Sequence, residues 1–312
     1  MITSRRRRTQ MTKTVRGRTV KRKNYKSAII GISFIIPALF FNLLFDWYPM
    51  LQGVIMSFYR WDGFRTPRFI GVDNFIKLIG DQYFWVSMEN MLFFFTFNVI
   101  LMLPAIITSV VLFRIRSKKT QYLYRVLFCI PMVVQFIVVL LIWQFMYNPQ
   151  YGFFNQLLEI LGLGDFKQTW LGDENLARWC ILFINFPWVQ SNALLIYLGG
   201  LQSVDGSIWE AADLDGVNPL QKFLYLEFPL IRGQFKLNLI GAFTGGITGY
   251  TLQLILTGGG PGFETLVPGL HMYKQAFEGK YYGYAAAIAL ALFALSAVVT
   301  FLSMRFLKSE ED

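Results

Sequence analysis

The sequence predicts an all-α polytopic membrane protein with six transmembrane helices, and three observations carry that expectation. Of the 312 residues, 54% are hydrophobic and only 15% charged, against roughly 45–50% and 25% in soluble domains, and the mean hydropathy is +0.43. Six runs contain no Asp, Glu, Lys or Arg: 27–45, 90–113, 126–158, 179–204, 237–263 and 281–304. Each meets the ~20 residues needed to cross a bilayer as a helix, the first only just. The third observation is charge placement. Residues 1–26 hold 11 Lys/Arg and no acid, whereas the rest of the chain has 18 basic and 19 acidic side chains, so the net charge of +10 belongs to one end. Run length excludes a soluble β fold, and a transmembrane barrel would show ~10-residue alternating segments instead.

The elements follow in order. Residues 1–26 form a basic arm, 27–308 the six-helix domain and 309–312 an acidic tail. The run 27–45 is read as a retained span, because it exceeds the ~7–15 apolar residues of a signal peptide and Asp46-Trp47-Tyr48-Pro49 follows it where a small-residue cleavage site would stand. The loop 46–89, rich in Trp, Tyr, Gly and Pro, reads as an interfacial loop or as an ordinary aromatic belt. After the second span, 114–125 carries five Lys/Arg; after the third, the apolar stretch 157–163 in the loop 147–178 predicts a small interfacial helix. The long loop 202–236 separates the fourth and fifth spans. With the N-terminus cytoplasmic, that side collects 21 Lys/Arg and the other 8, which places both termini in the cytoplasm.

Several chemistries are disfavoured. Cys129 and Cys180 lie in apolar stretches without metal spacing, and His271 is the sole histidine; a zinc site or a Ser-His-Asp triad is not expected. No Gly-x4-Gly-Lys-Ser/Thr phosphate loop occurs, so the chain is not expected to bind or hydrolyse ATP. The runs hold no ionisable acid or base at membrane depth, which argues against a proton- or sodium-coupled carrier. A channel or membrane enzyme would have to function as the isolated chain. The basic arm leaves nucleic-acid binding as a remote alternative, set below an anchoring role against anionic lipid.

The loop 202–236 is the most specific segment. Ser207-Ile208-Trp209-Glu210 reads as a capping box opening a short helix through Leu214, and Gly216 supplies the left-handed turn that ends it. Asn218-Pro219-Leu220-Gln221 opens a second helix with an Asn cap and Pro at its first position, and Pro229 ends or kinks it. Small Ala211 and Ala212 permit close approach. From these residues alone the loop is a docking surface or a solvated connection.

Glu210-Ala211-Ala212-x3-Gly216-x9-Leu226-x-Phe228-Pro229 resembles the signature Glu-Ala-Ala-x3-Gly-x9-Ile-x-Leu-Pro of the membrane subunits of binding-protein-dependent ATP-binding-cassette (ABC) importers. Further segments are similar to the carbohydrate branch of that family, the maltose-type or glycerol-phosphate-type first permease. They are Arg125-Val126-Leu127-Phe128-Cys129-Ile130-Pro131, Gly152-x2-Asn155-x-Leu157-Leu158, Trp170-Leu171, Leu256-Thr257-Gly258-Gly259-Gly260-Pro261 and Gly283-Tyr284-Ala285-Ala286-Ala287-Ile288. The resemblance spans roughly residues 30–307 and implies a type I ABC importer transmembrane domain in a bacterial cell membrane. It implies as partners a second homologous permease, two ATPase subunits that use ATP and Mg, and an extracytoplasmic solute-binding protein; no cofactor on this chain and no nucleic acid are expected. Ser207, Glu210, Ala211, Ala212, Asp213, Asp215 and Gly216 would couple to the ATPase, and Gly259, Gly260 and Pro261 would form a turn on the opposite side. Met132, Phe136, Asn185, Trp188, Asn192, Thr248, Gly249 and Tyr250 match positions of the sugar path. Met132, Phe136 and Gly249 depart from the maltose pattern, and the absence of Lys and Arg from the runs favours a neutral oligosaccharide. The alternative for the small residues Gly241, Gly245, Gly246 and Gly249 is close helix–helix packing.

Overall fold

The computed structural model describes residues 25–306; the basic arm up to residue 24 and the acidic tail 309–312 lie outside the described residues. Helix dominates, as a hydrocarbon surrounding demands: with no water to satisfy backbone N–H and C=O groups, the chain satisfies them within each segment. The described strand structure is one antiparallel pair, Tyr59–Arg60 with Arg68–Phe69, in which Tyr59 faces Phe69. The chain divides into units 1–51 and 52–312. In the first, helix Tyr25–Asn42 passes into a π-helical turn Leu43–Trp47, where Asn42 donates to the Asp46 carboxylate (2.9 Å) and accepts from Trp47 Nε1 (2.8 Å).

All six charge-free runs are helical, but not each as one rod. Three described stretches are long and apolar enough to cross a membrane: Ser33–Met56, Gln82–Arg114 and Tyr282–Arg305. The first corrects the expected boundary at residue 45. Asp46 does not end the helix, because its side chain takes a hydrogen bond from Asn42 one turn earlier. The second starts eight residues before its charge-free run, at a cap formed by Asp81, whose Oδ1 accepts from Tyr83 N (2.9 Å) and Phe84 N (3.3 Å); such caps satisfy otherwise orphaned donors. The third run becomes a bent pair, Lys118–Val133 and Phe136–Met146, meeting at 84° where Pro131 opens a 3₁₀ turn. The expected interfacial helix is displaced to Phe153–Ile160. Buried Asn155 anchors it, donating to Pro149 O and Gln168 O and accepting from Trp170 Nε1.

The fourth and fifth runs are each divided. Ala177–Phe183 and Ser191–Ser203 are separated by a break in which Asn185 (φ 66°) and Trp188 (φ 60°) flank a cis Phe186–Pro187 bond. Arg232–Thr248 and Thr251–Leu256 are separated at Gly249–Tyr250. Helix Pro268–Tyr273, beyond this turn, was not anticipated from the sequence. It crosses so near the end of Arg232–Thr248 that a Cβ on Gly269 would meet Thr248 O at 2.7 Å. Four buried clusters hold unit 52–312 together, the smallest of them Leu112, Leu194 and Leu198; the other three are larger. One centres on Met91, Ile247, Tyr284 and Ile288, one on Ile106, Tyr197, Leu201 and Ile231, and one on Leu140, Tyr147, Leu256 and Leu270.

Candidate functional site

Two places bring the expected residues together: the loop 202–236 and a cavity between broken helices. In the loop, the first helix runs Gly206–Leu214, but its cap is Asp205, not Ser207. Asp205 Oδ1 accepts from the Ser207 N–H (2.8 Å) and hydroxyl (2.6 Å), and these bonds hold its carboxyl below the usual range, the hydroxyl contributing most. An ionised acceptor outcompetes a hydroxyl for the first free amides, so the expected reciprocal bonds between Ser207 and Glu210 are not made. Glu210 is left exposed, without a side-chain hydrogen bond among the described residues. Ala211, Asp215 and Gly216 are also exposed, and Ala212 half-buried.

Gly216 takes φ +67° with nothing near its missing Cβ, so backbone conformation alone calls for glycine there. The second helix opens as expected, with Gln221 N donating to Asn218 Oδ1 (2.8 Å) and Asn218 N to Gln221 Oε1 (3.3 Å). Pro229 lies one residue before the segment ends at Leu230. Asp213 is not held free for a partner: Lys222 Nζ binds it at 2.5 Å, and this bond, followed by the lysine's charge, lowers its carboxyl pKa. Leu214, the last residue of the first helix, is 88% exposed, and Ile208, Val217 and Leu220 of the same loop are exposed too. An apolar patch on a polar loop is a mark of a docking surface.

The cavity has a volume of about 700 Å³. Six of the eight expected path residues line it: Phe136, Asn185, Trp188, Asn192, Gly249 and Tyr250. The other two do not. Met132 lies in the 3₁₀ turn at the bend, 62% exposed and outside the lining. Thr248 closes its hydroxyl onto Thr244 O one turn back (3.0 Å), the usual resting place of a helical threonine. Both helix breaks, at 184–190 and 249–250, contribute lining residues. Irregular backbone at membrane depth is tolerated where it borders such a space.

Gly241, Gly245, Gly246 and Gly249 also line the cavity, and added Cβ atoms at Gly241 and Gly245 would meet nothing within 4 Å. Within this chain, therefore, Gly241 and Gly245 open space instead of seating a neighbouring helix. Asn98, Gln190, Asn238 and Gln253 line it too and were not anticipated, because an amide leaves a run charge-free; amides inside an apolar run were the available signal. No lining residue is Asp, Glu, Lys, Arg or His. Trp188 is fixed by its Nε1 donating to Leu182 O (2.8 Å) and by edge contact with Phe183 and Phe186, leaving a rigid aromatic wall beside the amides.

The Gly259-Gly260-Pro261 turn is anchored. Gly259 has φ 94°, the Gly260–Pro261 bond is cis, and Thr265 donates its hydroxyl to Gly260 O (2.8 Å). Asn90 donates to Phe263 O (2.7 Å) and Leu266 O (2.9 Å), and Arg178 pairs with Glu264. Nearby, Asp81 Oδ2 meets His271 Nε2 at 2.9 Å and accepts from the Tyr284 hydroxyl at 2.5 Å. That joins the starts of spans 82–114 and 282–305 to helix 268–273. Burial raises the Asp81 carboxyl pKa, but these two bonds, the charge of His271 and the Phe84 N–H more than offset it, leaving it below the usual range.

Comparison with known proteins places this architecture. Residues 89–309 match the family described as "Binding-protein-dependent transport system inner membrane component". The probable ABC transporter permease protein YurN of Bacillus subtilis is 30% identical over 289 residues, covering 92% of this chain and 99% of its own. The multiple sugar-binding transport system permease protein MsmF of Streptococcus mutans is 31% identical over 287 residues, covering 90% and 96%. The fold is shared with a chain of the crystal structure of a bacterial alginate ABC transporter in complex with an alginate pentasaccharide-bound periplasmic protein, at a TM-score of 0.78, 19% identity, and coverage of 92% and 98%. With its segmented helices, Glu-Ala-Ala loop and matched length, this chain belongs to the binding-protein-dependent transport system inner membrane components.

Proposed function

We propose that the chain is one transmembrane permease subunit of an ABC importer that translocates a neutral sugar or oligosaccharide delivered by an extracytoplasmic solute-binding protein. The observation that carries the substrate class is the cavity: about 700 Å³, without Asp, Glu, Lys, Arg or His in its lining, and bordered by Asn, Gln, Trp and Tyr. Amides hydrogen-bond hydroxyls, and aromatic faces lie against the apolar face of a sugar ring; a few placed polar groups on a mostly apolar wall are the usual composition of such a site. Sugar-transport relatives such as MsmF support the reading.

In this proposal the chain is a non-catalytic transport subunit. A second homologous permease completes the path, and two ATPase subunits bind ATP and Mg. The exposed helix 206–214, with Leu214 at its tip, docks in the ATPase, and closure of the ATPase dimer moves it as a rigid body to switch the access of the cavity. The loop 202–236 and both termini then face the cytoplasm, as the Lys/Arg bias requires, and the basic arm lies against anionic lipid. Reconstitution tests the whole: the purified chain alone neither hydrolyses ATP nor transports, and assembly with its partners confers both. Transport or currents from the isolated chain would overturn the proposal in favour of a channel.

A further inference from the structure

A loop that moves spans must grip them. Loop 202–236 is covalently continuous with helices Ser191–Ser203 and Arg232–Thr248, but span 82–114 reaches it only through non-covalent contacts. Apolar packing of Ile106 and Val110 in a cluster with Ile231 is one of these, and two adjacent residues at the end of the span supply the directional ones. Phe113 meets the ring of Trp209, on the first loop helix, at 4.9 Å. Arg114 engages the second half of the loop with two donors: Nε to Glu227 Oε1 (2.8 Å), and Nη2 to both Glu227 Oε2 (2.6 Å) and Pro219 O (2.9 Å). The Glu227 side chain is 0% exposed. Lys222, bound to Asp213, ties the two halves of the loop to each other.

The forked pair is the stiffest of these links, since a bidentate guanidinium–carboxylate contact fixes direction as well as distance. Span 82–114 in turn supplies Asn98, Leu101, Met102 and Ala105 to the cavity wall.

We infer that Arg114 and Glu227 are positioning residues that transmit displacement of loop 202–236 into span 82–114, and so into one wall of the cavity. This rests on the importer reading above. Glu227 falls at the variable position of the signature, between Leu226 and Phe228, and Arg114 is 113 residues away, so only the fold joins them.

The test uses the transporter assembled with its partner subunits in proteoliposomes, with Cys129 and Cys180 replaced by Ser. A single cysteine is introduced at the cavity wall, either Asn98→Cys on span 82–114 or Gly241→Cys on the covalently linked helix 232–248. The rate of labelling by N-ethylmaleimide is compared without nucleotide and with ATP, Mg and vanadate. In the otherwise unaltered chain both positions respond to nucleotide. Arg114→Gln abolishes the response at position 98 and keeps it at 241, and Arg114→Lys restores part of it.

A buried Glu227 without its partner can disturb folding, so Arg114→Met combined with Glu227→Leu provides a second variant; apolar replacement of a buried pair is often neutral for stability. It assembles normally and still loses the response at 98. A nucleotide response at position 98 that survives in both the Arg114→Gln and the double variant overturns the transmission role alone. No response at either position in the unaltered chain overturns the importer reading, and the transmission role with it.

Discussion

Replacing Asp81 by Ala removes four hydrogen bonds from one side chain. Two are the cap bonds to Tyr83 N and Phe84 N, and loss of such a cap costs about 1 kcal/mol. The other two go to His271, 4% exposed, and to buried Tyr284, and each buried partner left unsatisfied costs about 1–3 kcal/mol. Together, about 3–7 kcal/mol of local stability is lost where two spans and helix 268–273 meet. Asp81→Asn keeps an acceptor for the cap and offers an amide to the other two groups, so its cost is about 1 kcal/mol. The assay is thermal unfolding of the assembled transporter in detergent, with the native fraction read by size-exclusion fluorescence. His271→Ala and Tyr284→Phe complete double-mutant cycles that isolate each bond. The reasoning is refuted if Asp81→Ala stays within about 0.5 kcal/mol of the unmodified protein, the range of a surface change, or is no worse than Asp81→Asn.

The same carboxylate sets a pH dependence. Its folded pKa lies below the ordinary 3.8, so its contribution is fully present above the ordinary carboxylate value and is lost as pH falls through the lower folded value; melting curves compared with those of Asp81→Asn diverge at neutral pH and converge only under strong acid. Gly269→Ala drives a methyl group against Thr248 O at 2.7 Å, an overpacking penalty of about 1–3 kcal/mol that the same melts detect. Gly216→Ala meets no atoms and costs only the left-handed backbone strain, about 1–2 kcal/mol. Gly216→Pro cannot adopt φ +67° and, on the proposed function, abolishes co-purification with the proposed ATPase. Gly245→Phe enters open cavity space: the complex assembles, its basal ATP hydrolysis persists and uptake of labelled oligosaccharide falls. Full uptake with this variant would place the path elsewhere.

Much of the fold was legible because desolvating an ion is costly enough to write itself into the sequence as charge-free runs. What the runs did not reveal was where each helix bends. Asp46 looked like a boundary and is not one, because Asn42 satisfies it within the helix. The run 126–158 looked continuous and contains an 84° bend. Local caps were only partly readable: the Asn218–Gln221 box formed as its residues imply, whereas Ser207 lost its capping role to a carboxylate two residues upstream.

For the site, the Glu-Ala-Ala loop was visible as a motif because it is contiguous. The cavity was visible only in part, and the Asn98, Gln190, Asn238 and Gln253 amides that give it hydrogen-bonding capacity went unread among apolar neighbours. The sequence by itself determined that the chain resides in a membrane, carries no phosphate loop and presents a signature loop, since composition, motif and charge bias are properties of residues in order. Only the tertiary structure decided that Gly241 and Gly245 border a cavity, that Asp81 gathers His271 and Tyr284, and that Arg114 grips Glu227. Each of these depends on residues far apart in the chain, whose meeting is set by how interrupted helices cross and not by any local pattern.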